Sequence, residues 1–125
     1  MKLTIKTQQT RPGVITLILQ GPLDGNTHMQ LDRVVSATLE EPLKALVLDM
    51  EGVDFLTSAG IGTIMKTKTS LAKKGADLAM MNLQPQVKKV FEIIRVLPSL
   101  GVFQDRDELD EYLGTIQRRM TGEED

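Results

Sequence analysis

One stretch carries the residues whose types and spacing could do chemistry: Asp54-Phe55-Leu56-Thr57-Ser58-Ala59-Gly60-Ile61-Gly62. Two adjacent hydroxyls, Thr57 and Ser58, stand at a junction. Before them is an apolar run, Ala45-Leu46-Val47-Leu48-Asp49; after them Ile61, Ile64, Met65, Leu71 and Ala72 recur with helical spacing. Small hydroxyl side chains at the start of a helix suit an N-cap. The N–H groups of the first turn have no intrahelical acceptor, so the same place can hold an anion. A serine there can also carry a covalent phosphate. On these residues alone the three readings, cap, anion site and phosphoacceptor, stay open.

Other chemistries fit poorly. A nucleophile elbow reads Gly-x-Ser-x-Gly, but position 56 is Leu. The single histidine, His28, would have to act as base from the start of a different helix, so no catalytic residue is expected. Gly60-x-Gly62 lacks the third glycine of a dinucleotide fingerprint and the lysine of a P-loop. Its plainer use is close packing of helix against strand. Asp24 and Asp49 each end an apolar run, yet two carboxylates without a substrate phosphate hold magnesium weakly. Asp24 is expected to cap its own loop. Lys66, Lys68, Lys73 and Lys74 read as a solvated helix face with favourable charge towards the C-terminal end. Met50, Met65, Met80 and Met81 read as core filler. With no cysteine and one histidine, neither a metal nor a cofactor is expected.

Composition narrows the partners. A length of 125 residues fits one domain able to bury its own core. The formal net charge of −2 opposes a nucleic-acid partner, and 3% aromatics leave no stacking platform for single strands. Met1-Lys2-Leu3-Thr4-Ile5-Lys6 alternates instead of running apolar, so no signal peptide is expected. No apolar run approaches the ~20 residues that a membrane helix needs. The expectation is a soluble cytoplasmic protein without membrane insertion.

The elements that must position the Ser58 stretch follow from periodicity. Leu3, Ile5 and Thr7 alternate with polar residues, and Arg11-Pro12-Gly13 signals a turn into Val14–Leu19. These segments predict a hairpin. Gly21 to Asn26 is a loop by composition, and Thr27 with Gln30 has capping-box spacing. Leu31, Val34, Val35, Thr38 and Leu39 mark a helix expected to end at Glu41-Pro42. Leu43–Asp49 predicts a strand covered on both faces. The Ser58 helix should run to about Lys74 and stop at Gly75. Asp77–Met81 predicts a strand, and Pro85 opens a helix with Val87, Val90, Phe91 and Ile94 on one face. A turn at Pro98-Ser99-Leu100-Gly101 leads to a short strand, Val102-Phe103. Asp105 with Glu108 suggests a cap for a last helix with Leu109, Tyr112, Leu113 and Ile116 inward. The fold class is α/β, a mixed, mostly parallel sheet in the order ββαβαβαβα. Residues 1–120 form one domain, and 121–125 a short acidic tail.

In that context the chain resembles a STAS domain, the fold of bacterial anti-sigma factor antagonists. Gly21-Pro22-Leu23-Asp24 resembles the family's Gly-x-Leu-Asp element. Leu46–Asp49 followed by Val53–Gly62 resembles its signature, Pro85–Phe91 its third-helix pattern, and Val102-Phe103 its last strand. Phosphorylated family members carry Asp-Ser-(Ser or Thr)-Gly, which aligns Ser58 with the serine modified by a kinase-type anti-sigma factor. Thr57 stands at the family's aspartate and Ala59 at its second hydroxyl. The resemblance implies a partner-switching antagonist. It binds an anti-sigma factor with serine kinase activity when unphosphorylated, and is released on phosphorylation of Ser58. Asp24, Gly25, Asn26, Thr57, Ala59, Gly60 and Ile61 would form the contact rim. The alternative it allows is an unphosphorylated accessory subunit of a lipid-transport ATPase complex.

Overall fold

The computed structural model describes residues 2–93 and 101–103. Strands β1 (Thr4–Arg11) and β2 (Val14–Gln20) form the expected antiparallel hairpin. Its turn uses Gly13 at φ 77, a left-handed conformation that glycine adopts without Cβ strain. Then follow α1 (His28–Thr38), β3 (Ala45–Gly52), α2 (Ser58–Lys73), β4 (Asp77–Met81), α3 (Pro85–Ile93) and β5 (Gly101–Phe103). The sheet runs β1-β2-β3-β4-β5, and every pairing after the hairpin is parallel. This is the mixed, mostly parallel α/β sheet expected. The helix face at Ile94, the turn residues Pro98–Leu100, the Asp105–Glu108 cap, the last helix and the acidic tail lie outside the described residues.

The strand order never reverses, so right-handed crossovers carry the helices to one face of the sheet. The packing agrees. Leu17 and Leu19 of β2, Leu46, Leu48 and Met50 of β3, and Met80 of β4 share one cluster with Leu31, Val35, Ile64, Leu71, Val87 and Phe91 from the helices. The alternate positions Val14, Ala45, Val47, Ala79 and Met81 form a second buried cluster. Side chains alternate faces along a strand, so the central strands are covered on both sides, as their unbroken apolar runs require. Met50, Met80 and Met81 are buried and Met65 packs against the core, in the filler role expected.

Several boundaries and caps differ from expectation. Helix α1 ends at Thr38, ahead of Glu41-Pro42; the N–H groups of Leu39, Glu40 and Glu41 close its last carbonyls, and the Lys74 ammonium reaches the carbonyls of Leu39 and Glu41 just beyond. Strand β3 starts at Ala45, not Leu43, because pairing begins where Lys44 and Ala45 N–H groups bond the Gly13 carbonyl. It runs to Gly52 because β2 supplies a partner as far as Gln20. Asp49 is therefore inside the strand and does not end it. The Thr27–Gln30 capping box does not form. Thr27 Oγ1 donates to the Pro22 carbonyl at 2.7 Å, and Gln30 Nε2 donates to the Leu3 carbonyl at 2.7 Å. Both side chains serve carbonyls brought near by the fold, and the helix N–H groups do without them.

Candidate functional site

The Ser58 segment sits where β2 and β3 run out, at the C-terminal edge of the parallel sheet. Pairing between the two chains continues past the strands. Gly21 N–H bonds the Gly52 carbonyl at 2.9 Å, Leu23 N–H the Phe55 carbonyl at 2.9 Å, and Thr57 N–H the Leu23 carbonyl at 3.0 Å. Leu23 and Leu56 form an isolated parallel bridge. The loop before α2 is thus stitched to the loop before α1 by backbone bonds, which fixes the height and direction at which α2 starts.

Gly60 completes the fit. A Cβ there would lie 2.7 Å from the Leu23 carbonyl oxygen, 2.9 Å from Leu23 Cβ and 3.0 Å from Leu56 Cδ1. Only a hydrogen at this position lets the first turn of α2 settle on Leu23. Gly62 is different: a Cβ there meets nothing within 4 Å. Close packing explains the first glycine and not the second.

The second loop is ordered by Asp24, as its composition suggests. Asp24 Oδ1 accepts from Asn26 N–H at 2.9 Å, Thr27 N–H at 3.1 Å and Thr27 Oγ1 at 3.2 Å. Helices α1 and α2 meet through His28 Nδ1, 3.1 Å from Thr63 Oγ1, and through the Lys66–Asp32 ion pair at 3.2 Å. His28 is therefore a strut between helices. Asp49 receives Glu51 N–H and Asn82 Nδ2, each at 3.1 Å. Among the described residues no three metal-ligating side chains converge.

The hydroxyl pair divides its roles. Thr57 is the N-cap residue of α2, with φ −111 and ψ 174, but its side chain caps no helix N–H. Its hydroxyl instead faces the Leu23 carbonyl, 3.5 Å away. That carbonyl already accepts the Thr57 N–H at 3.0 Å, so the hydroxyl adds only a long contact to it, and the side-chain cap expected here is absent. Ser58 is the first residue of the helix and is exposed. Ile61 N–H is the first to find an intrahelical acceptor, the Thr57 carbonyl at 3.0 Å, so the Ser58, Ala59 and Gly60 N–H groups have none.

Gly25 and Asn26 are exposed, Asp24 and Thr57 half-buried and Ala59 partly buried, and the Leu23 carbonyl just before Asp24 accepts the Thr57 N–H. Gly60 is buried and Ile61 packs partly against the core, so both support the segment from beneath. Two residues that sequence reasoning passed over stand at this same end: Met29 and Phe55, 58% and 53% exposed. Their signal was that they fit no apolar periodicity, Met29 falling off the Leu31–Val35–Thr38 face and Phe55 lying in a loop. A hollow of about 370 Å³ lined by Thr7, Ile15, Val34 and Thr38 lies between β1 and α1, away from Ser58.

The model of the STAS domain family matches residues 6–109. The chain belongs to that family. BtrV of Bordetella bronchiseptica, a candidate anti-sigma factor antagonist, is 28% identical over 95 residues, covering 76% of this chain and 82% of BtrV. The anti-sigma F factor antagonist of Paenibacillus polymyxa is 26% identical over 109 residues, covering 84% and 90%. SpoIIAA, a cell-fate determinant of Bacillus solved in its phosphorylated form, superposes with a TM-score of 0.69 at 17% identity, covering 87% of this chain and 99% of SpoIIAA. In this STAS domain backbone bonds join Leu23 to Phe55 and Thr57, and Ser58 follows as the first residue of α2.

Proposed function

We propose that this STAS domain is a non-catalytic anti-sigma factor antagonist working by partner switching, with Ser58 as its phosphoacceptor. The observation that carries the reading is the division between the two hydroxyls. Ser58 is exposed at the first position of α2, while the neighbouring Thr57 faces the Leu23 carbonyl. A kinase can reach the first and meets the second turned inward. The curated relatives described as anti-sigma factor antagonists, and the phosphorylated form of a protein of this fold, support the same role.

The switch follows from charge. A phosphoserine carries about −1.5 to −2 charges. At the start of α2 that charge lies beside three N–H groups without intrahelical acceptors, an arrangement worth about 0.3 to 1 kcal/mol at an exposed site. The domain therefore keeps its fold. A partner packed over Ser58 would have to desolvate the phosphate, and about 1.4 kcal/mol of such penalty lowers affinity tenfold. Unphosphorylated protein holds a kinase-type anti-sigma factor in the cytoplasm and frees the sigma factor; phosphorylated protein lets go.

The test is incubation with the kinase-type anti-sigma factor and ATP, followed by mass spectrometry. One phosphate on Ser58, absent from Ser58→Ala, is expected. Phosphate on the Ser58→Ala protein would overturn the site. Co-purification with a transporter ATPase and no phosphate transfer would favour an accessory subunit instead.

A further inference from the structure

We propose that Met29 and Phe55 are apolar anchors, and the bare helix surface at Gly62 a clearance, for the protein partner that Ser58 controls. This rests on the reading of Ser58 as a switch and adds which surface the partner grips.

Three features stand at this end of the sheet. Met29 and Phe55 are the exposed large hydrophobics among the described residues. The Phe55 carbonyl accepts from Leu23 N–H at 2.9 Å, which holds Phe55 beside the loop that leads into α1. Met29 follows His28, whose Nδ1 lies 3.1 Å from Thr63 Oγ1, so the first turn of α1 stands beside the second turn of α2. Ser58 opens the same stretch of α2.

Gly62 lies one turn beyond Ser58, exposed and inside a 16-residue helix. Glycine in a helix interior is less stable than alanine, so it needs a reason. Among the described residues the fold offers none: Gly62 is not in the left-handed region, and a Cβ would meet nothing within 4 Å. Gly60, on the same helix, shows what a structural reason looks like, with the Leu23 carbonyl 2.7 Å from its would-be Cβ. A close approach from outside the chain supplies the missing reason at Gly62.

Charge decides the kind of occupant. Asp54, next to Phe55, is exposed and pairs with no cation among the described residues, whereas Lys66 is held by Asp32 at 3.2 Å. Exposed apolar side chains with an unpaired carboxylate beside one of them disfavour anionic lipid headgroups and nucleic acid, which select basic surfaces. It fits a folded protein with an apolar recess bordered by Lys or Arg. Phosphate on Ser58 would bring further negative charge to that contact.

The experiment titrates the full chain with the purified kinase-type anti-sigma factor in ADP, by calorimetry. The variants are Met29→Gln with Phe55→Ser, and separately Gly62→Gln, whose side chain enters open space and spares the fold. Each should weaken binding by at least about tenfold, the scale of anchor residues, with no loss of thermal stability. Variants that bind within about twofold of wild type would overturn the docking surface while leaving the switch intact. A wild-type protein that does not bind would overturn the switch reading itself, and this surface with it. Phosphatidylglycerol vesicles that capture wild type but not the double variant would overturn the proposal in favour of a membrane.

Discussion

Alanine should have opposite effects at two glycines of α2 that stand two residues apart. At Gly60 a methyl group would sit 2.7 Å from the Leu23 carbonyl oxygen and 2.9 Å from Leu23 Cβ, neither of which is the free end of a flexible chain. Relief requires moving the loop held by the Leu23–Phe55 and Thr57–Leu23 backbone bonds. Overpacking of this kind costs about 1 to 3 kcal/mol. Alanine's better helix propensity returns about 0.5 to 1 kcal/mol. The net expectation for Gly60→Ala is a loss on the order of 1 to 2 kcal/mol. At Gly62 the methyl group meets nothing, so only the propensity gain remains and Gly62→Ala should be about 0.5 to 1 kcal/mol more stable than wild type. Urea unfolding followed by circular dichroism reads both, with unchanged m-values confirming that only the folded state is altered. The two variants should separate by about 2 kcal/mol, which is roughly 5 to 10 °C in melting temperature for a domain of this size. Equal stability of the two, or a more stable Gly60→Ala, would refute the claim that α2 is seated on Leu23 through that glycine.

Two further substitutions test the supports of the site. Asp24→Ala removes the acceptor of the Asn26 and Thr27 N–H groups and should cost about 1 to 2 kcal/mol in urea unfolding, with faster amide exchange at Asn26 and Thr27. Asn82 holds a left-handed φ of 61 and donates to Asp49 at 3.1 Å. Asn82→Ala loses both advantages and should be less stable by about 1 to 2 kcal/mol, while Asn82→Gly keeps the backbone and should lose less.

Much of the scaffold can be read in the sequence because it is local. Arg11-Pro12-Gly13 between two β-rich runs specifies a hairpin, and Gly75, at φ 73, ends α2 as its position after Lys74 suggests. The continuous run Leu46-Val47-Leu48 announces a strand buried on both faces. The hydroxyl caps expected at Thr27 and Thr57 do not form, because both hydroxyls face carbonyls outside the helix they precede. The Pro22 carbonyl is five residues before Thr27 but meets it only through the fold of the loop, and the Leu23 carbonyl is 34 residues before Thr57. The same limit separates Gly60 from Gly62, alike in sequence and distinguished only by what Leu23 places against one of them. Met29 and Phe55 were visible as apolar residues out of period, but their common location depends on how α1 and α2 pack.

The central claim is that a phosphate on Ser58 controls a partner without disturbing the domain. The most direct measurement is a calorimetric titration of a kinase-type anti-sigma factor with the protein in its unmodified and Ser58-phosphorylated forms, each checked for an unchanged thermal transition. The phosphorylated form should bind at least about tenfold more weakly. Equal affinities, or a loss of binding that accompanies loss of the fold, would contradict it.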